Sequence, residues 1–433
     1  MRWLVLAILV PNLAWADKLT LDQVIAKAIA NPRVVMAEQD TESAAARVDE
    51  ATSALYPKLK GTAFVTISPE IHCDNPDCTR TDPTNFAFRF DGLFAGAELD
   101  LTQPLYTFGK ISHNRAAARA GLAAQRALAD EAAGDAASDA AKAYWNLKLA
   151  RTLGDMLDDG IDEIQKAKGD FDQKHDATVQ DRQRVAVLLA NAKAQRAEAA
   201  LGEAQALAGL RAITADENAD IDDSELAPIE HVLPKQLGID ARPQKVAAAQ
   251  GATAFDELAD AAHSEYFPDF ALVGTALIAG AQGADTPPSA YANNPYNRAG
   301  AGIALGLQWN IEPWTTKARA DRARAEARKS HAQSELAAIG ARLDGDTALG
   351  EARADQQKLD ATAEGEKAAR TWLAAVLQDQ AIGTAEARDL ADAYIAWFQM
   401  HAQWCTAVVA WNVAVVRLGR ASGEFRAGPS RLK

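Results

Sequence analysis

Apolar and polar positions alternate along residues 98–103: Leu99, Leu101 and Gln103 stand against Glu98, Asp100 and Thr102. A period of two with one apolar face predicts a half-buried strand over about 97–105. Pro104 and Gly109 punctuate it, and an alanine-rich helical pattern then runs over 110–172. The same join occurs a second time. Ile303, Leu305, Leu307, Trp309 and Ile311 share one face of a strand predicted at 301–311, and Gly302, Ala304, Gly306, Gln308 and Asn310 share the other. Pro313 and Trp314 then open a second long helix, over 316–381.

The rest of the chain arranges itself around these two joins. Residues 19–55 read as a helix, with Thr20 and Gln23 spaced as a capping box. Tyr56-Pro57 ends it, and a Thr- and Val-rich strand is predicted at 59–67. A polar loop over 68–94 leads to the strand at 97–105. In the helix at 110–172, Leu147, Leu149, Leu153, Leu157, Ile161 and Ile164 stand at near-heptad spacing. Its glycines each weaken it by about 1 kcal/mol relative to alanine, so tertiary packing must hold it. The chain turns at Lys174-His175-Asp176 and returns as a helix over 178–213. In the second half, Pro243 and Pro268 stand 25 positions apart, as Pro32 and Pro57 do in the first. A strand at 270–278, a Gly/Pro/Asn loop, the strand at 301–311, and helices at 316–381 and 384–420 follow. The chain is thus a duplicated helix-strand-strand-helix-helix repeat, mainly α with β. The first repeat covers 17–225, a linker 226–240, and the second repeat 241–433.

Residues 1–16 carry Arg2, a short apolar core and Ala14-Trp15-Ala16, the pattern of a secretory signal. The most apolar later stretch, Trp404 to Leu418, contains Thr406, Asn412 and Arg417 and reads as a core helix. Entry into a membrane would therefore fall to the strands. Four strands cannot close a barrel, and an open sheet in lipid leaves backbone groups unpaired. Three copies would supply twelve strands, within the range of outer-membrane barrels. A helix of about 62 residues is roughly 95 Å long, and such helices laid side by side and closed by symmetry make a tube.

Together these features resemble the TolC family of bacterial outer-membrane efflux proteins. The residues that carry the resemblance are Leu21 to Pro32, the Ser53 to Leu59 segment, and Gln103-Pro-Leu-Tyr-Thr-Phe-Gly-Lys110 in the first half. In the second half they are Arg242-Pro243, Phe267-Pro268-Asp269-Phe270, Leu305 to Trp314, and Gly383-Thr384 leading to Trp411 to Gly423. Their order and duplication are the specific part. Two positions depart from the family pattern: Glu312-Pro313 replaces a Phe-Gly-Gly type turn, and Lys174 stands where the first helix turn often has glycine. The resemblance implies a homotrimer: a twelve-stranded β-barrel in the outer membrane continued by a twelve-helix α-barrel across the periplasm. It also implies an exit duct serving an inner-membrane pump through a periplasmic adaptor, for efflux or type I secretion. A soluble periplasmic coiled-coil scaffold or adaptor would use the helices but leave the four amphipathic strands unexplained.

Charge and chemistry narrow the picture further. The chain carries a formal charge of −14, which argues against a nucleic-acid partner. The seven histidines form no His-Glu-x-x-His pair, and no nucleophile-base motif, metal site or cofactor site stands out. Phe108-Gly109-Lys110-Ile111-Ser112 fails as a phosphate loop, because position 104 is proline where glycine is required. Cys73 and Cys78 share one loop, and in an exported protein this predicts a local disulfide; two thiols without a second pair make a poor zinc site. Cys405, among apolar residues, reads as a buried free thiol. Asp389 and Asp392, three apart near a helix start, project from one face. The resemblance places such a pair at the periplasmic entrance constriction, as stacked carboxylate rings that favour cations; solvated acids at a helix start are the other reading. Lys174, Asp176, Asp181, Gln380 and Arg388 lie near the helix turns, where gate contacts would form. Tyr106, Trp309 and Trp314 sit at strand ends, positioned for an aromatic belt at the membrane surface, with core packing the alternative.

Overall fold

A computed structural model describes residues 18–73, 86–173, 178–281, 297–382, 384 and 386–423. The order of elements is β1 (Lys18–Leu19), α1 (Leu21–Ile29), α2 (Pro32–Ser53), β2 (Lys58–Cys73), β3 (Phe86–Tyr106), α3 (Lys110–Gln173), α4 (Val179–Thr214), β4 (Asp220–Ile221), α5 (Pro243–Ser264), β5 (Asp269–Ala281), β6 (Arg298–Gln308), α6 (Pro313–Ala381) and α7 (Ala387–Ser422). The duplication is visible in this order: α2-β2-β3-α3-α4 is answered by α5-β5-β6-α6-α7. Among the described residues, no helix is long and apolar enough to cross a membrane.

Several elements differ from the sequence expectation. The helix expected over 19–55 is broken in two. Thr20 and Gln23 do form the capping box of α1, but α1 stops at Ile29. Pro32 then starts α2, since a residue before proline avoids the helical region and proline itself suits the first helical position. Asn31 holds the break: its Oδ1 accepts from the Arg33 N–H at 3.1 Å and its Nδ2 donates to the Ile213 carbonyl at 2.8 Å. The loop expected over 68–94 is shorter, because β2 continues to Cys73 and β3 begins at Phe86. Strand β6 ends at Gln308, before Trp309 and Ile311. The second long helix begins at Pro313. The signal segment, Cys78 and the turn residues Lys174 and Asp176 lie outside the described residues.

The chain divides into two compact units. The unit formed by 43–122 and 250–332 holds a four-stranded antiparallel sheet in the order β2-β3-β5-β6. Leu59 pairs with Leu101, Leu101 with Gly274, and Gly274 with Ile303, so one register line crosses the sheet.

The other unit, 1–42 with 123–249 and 333–433, is helical with a small parallel pair, β1 against β4. Its core has three parts. Tyr144, Trp145, Leu147, Leu210 and Val408 centre the first. Ile164, Val185, Leu390, Tyr394 and Phe398 centre the second. Leu349, Leu418 and Ala421 belong to the third. The stretch Trp404 to Leu418 is core helix as read, with Cys405, Val408, Val415 and Asn412 each at 0% exposure. Asn412 also explains how the segment after β4 is held. Its Oδ1 accepts from the Ile229 N–H at 2.7 Å, its Nδ2 donates to the Ala227 carbonyl at 2.9 Å, and Trp411 Nε1 donates to the Ile229 carbonyl at 2.8 Å. The strap meets its backbone demands through side chains of α7 rather than a strand partner.

Candidate transport path

The register sorts the sheet into two faces. One carries Leu59, Gly61, Ala63, Val65 and Ile67 of β2, and Leu93, Ala95, Ala97, Leu99, Leu101 and Gln103 of β3. Phe270, Leu272, Gly274, Ala276 and Ile278 of β5 and Ala299, Ala301, Ile303, Leu305 and Leu307 of β6 continue it. Gln103 is the one polar side chain among these residues, and its Nε2 donates to the Leu55 carbonyl at 2.8 Å, so even that group is occupied. The face is not covered: Ile303 is 74% and Leu305 79% exposed. The opposite face carries Lys58, Lys60, Thr62, Thr66, Glu98, Asp100, Thr102, Thr275 and Gln308, with Phe64, Phe94, Val273 and Leu277 among them. A soluble sheet would turn its apolar side to a core; this one leaves the apolar side bare and carries its charges on the other.

One end of the sheet is rich in aromatic rings. Tyr106 pairs with Phe270 and packs edge-on against Phe108 at 4.7 Å, and Phe108 stacks on Phe267 at 5.2 Å. Phe108 and Gly109 both adopt positive φ, +48° and +99°, which turns β3 directly into α3. Tyr106, Trp309 and Trp314 are 58%, 51% and 84% exposed.

The far ends of the long helices belong to the helical unit. Helix α7 begins with Glu386 at its N-cap position, without a side-chain cap, and Asp389 in its first turn. Ala387, Leu390, Ala391, Ala393 and Tyr394 are buried, while Arg388, Asp389 and Asp392 are exposed. The apolar stripe of α7 thus places both aspartates on the uncovered side. Arg388 lies 3.7 Å from Asp392 along the same helix. Asp181 caps its own helix: its carboxylate accepts from the Thr178 hydroxyl at 2.7 Å and the Thr178 N–H at 3.1 Å. Those bonds, the hydroxyl's first, hold the Asp181 carboxyl below the usual aspartate range. Gln380 reaches across from α6, its Nε2 donating to Asp170 on α3 at 3.5 Å.

One constellation escaped sequence reading. His113 in the first turn of α3 and Glu257 and Asp260 of α5 come together, their donor atoms all within 4.8 Å of one another. The two carboxylates are i and i+3 on one helix, a detectable signal, but the imidazole is 144 positions away from Glu257.

A family model described as outer membrane efflux protein matches residues 25–216 and 237–424, which is both repeats. The chain belongs to the outer membrane efflux protein family. It is therefore an outer-membrane efflux protein, a transport protein, and the soluble-scaffold alternative is not favoured. No curated protein matches the chain by sequence. Solved structures share its fold. The channel CusC is 17% identical, with a TM-score of 0.76, covering 94% of this chain and 93% of that one. The CmeC outer membrane channel of Campylobacter jejuni is 17% identical, with a TM-score of 0.74, covering 94% and 86%. The open-state MtrE outer membrane channel of Neisseria gonorrhoeae is 20% identical, with a TM-score of 0.74, covering 93% and 88%.

Proposed function

We propose that three copies of this chain join edge to edge, β2 of one pairing with β6 of the next, into a single twelve-stranded barrel. The observation that carries this is the bare apolar face between two unpaired edges. Strands β2 and β6 each pair on one side only among the described residues. In lipid an open edge leaves backbone donors and acceptors without partners, so the edges must close on other copies. The apolar face then meets outer-membrane lipid, the Lys- and Asp-bearing face lines the duct, and Tyr106, Trp309 and Trp314 sit at the periplasmic membrane surface. The helices continue the duct to a periplasmic adaptor and an inner-membrane pump. Asp389 and Asp392, exposed at the start of α7, form the entrance constriction, with Gln380 to Asp170 as a contact that opening must break.

The test is electron microscopy of the mature protein purified in detergent from outer membranes. A three-fold particle is expected. A monomer, or recovery in the soluble periplasmic fraction, overturns the proposal.

A further inference from the structure

We propose that His113, Glu257 and Asp260 form a binding site for a divalent cation of the zinc class, clipping α5 to the start of α3 beside the sheet. One imidazole nitrogen and two carboxylates are a donor set suited to Zn²⁺, with a further coordination position left to water. The mixture of one nitrogen and two oxygens excludes a soft, thiolate-seeking ion.

The geometry is built rather than incidental. His113 Nδ1 lies 2.7 Å from Glu257 Oε2, and both side chains are about two-thirds covered, at 35% and 30% exposure. The other edge of the imidazole lies over the backbone of Gly109. A Cβ at 109 would stand 2.8 Å from His113 Cδ2 and 3.0 Å from its Nε2, so only glycine leaves room for the ring in this orientation. The ring is thereby held with Nδ1 toward the acids. A tetrahedral ion with bonds of about 2.0–2.2 Å separates its ligands by roughly 3.4 Å. His113 and Glu257 already stand within that span. Asp260, on the exposed side of the cluster, has a carboxylate oxygen within 4.8 Å of both other donors and completes the set. A cation there offsets the repulsion between Glu257 and Asp260 and joins two helices that adjoin different strands, β3 through α3 and β5 through α5.

The experiment uses the full mature channel without a polyhistidine tag, stripped with chelator and titrated with Co²⁺. Its visible absorption reports a nitrogen- and oxygen-ligated ion. One Co²⁺ per chain, displaced by Zn²⁺, is expected. H113Q and, separately, D260N should each weaken binding at least tenfold. The double variant D256N/H331Q removes the neighbouring His331–Asp256 pair, 2.8 Å apart, and should bind as the parent does. Should H113Q fail to assemble, D260N, a change at an exposed carboxylate, carries the test. Parent-like binding by H113Q or by D260N overturns the site, as does loss of binding only in D256N/H331Q.

Discussion

Gly160 sits on α3 where Phe398 of α7 crosses it, in the core cluster that also holds Leu390 and Tyr394. A Cβ added at 160 would lie 2.3 Å from Phe398 Cζ and 2.6 Å from Cε1. Ordinary carbon contacts are about 3.5–4.0 Å, so the ring would have to retreat by more than 1 Å. It has nowhere easy to go. Phe398 is 8% exposed, stacks on Tyr394 at 6.0 Å and leans on Trp397 at 5.1 Å. Two effects oppose each other in Gly160→Ala. Alanine is the better helix former by about 1 kcal/mol. Overpacking a filled core costs about 1–3 kcal/mol. An approach of 2.3 Å puts the cost in the upper part of that range, about 2–3 kcal/mol, so the clash wins and a net loss of about 1–2 kcal/mol is expected at this crossing. Hydrogen exchange of the α3 amides around 160, measured on the channel in detergent, should quicken by about 5–30-fold. In a Phe398→Leu background the shorter side chain removes the clash, and the same glycine change should then slow exchange. Such a reversal of sign is a coupling between contacting residues. Slower exchange on Gly160→Ala in the parent would refute the reasoning, because propensity alone would then be deciding the outcome.

Three further outcomes are expected. Leu305→Arg puts a charge on the apolar face of β6 and should cost about 2–4 kcal/mol at mid-membrane depth, seen as loss of the channel from the outer-membrane fraction. Ala304→Arg, one position along on the opposite face, should leave that fraction unchanged, and equal loss for both would refute the assignment of faces. Replacing Asp389 and Asp392 together by alanine should raise single-channel conductance in planar bilayers and weaken block by di- and trivalent cations; unchanged conductance sinks the entrance reading. The third concerns buried Arg242, whose Nη2 donates to Asp344 at 2.6 Å. This bond, then the guanidinium charge, holds the Asp344 carboxyl below the usual aspartate range. Its stabilisation is therefore present above the unfolded aspartate value of about 3.9 and is lost as pH falls through the lower folded value. Asp344→Asn should give a channel whose thermal unfolding midpoint falls less steeply than the parent's below about pH 4, and identical slopes would refute the assignment.

Much of this architecture was legible in one dimension because the signals are local. Strand alternation at Leu99 to Gln103 and Ile303 to Leu307 depends only on a period of two, and the long helices declare themselves by length and alanine. The repeated proline spacing, Pro32 to Pro57 and Pro243 to Pro268, displays the duplication without any contact being known. The apolar run at Trp404 to Leu418 reads as core because it holds Asn412 and Arg417, and Asn412 proves to be the residue that ties down the segment after β4. What the chain could not show is what depends on partners far away in sequence. The break at Asn31 needs the Ile213 carbonyl, 182 positions on. The β1–β4 pair joins two residues to two others some 200 positions later, too short to leave a pattern. The extension of β2 to Cys73 and β3 to Phe86 follows from each strand supplying the other's hydrogen bonds through a stretch whose composition reads as loop. His113 meets Glu257 and Asp260 only because β3 hands the chain to α3 beside the end of α5. Local periodicity determined the elements and their order, since it is set by backbone geometry. Which side chains meet was decided by the packing of those elements, since side-chain donors, acceptors and rings find their partners across space rather than along the chain.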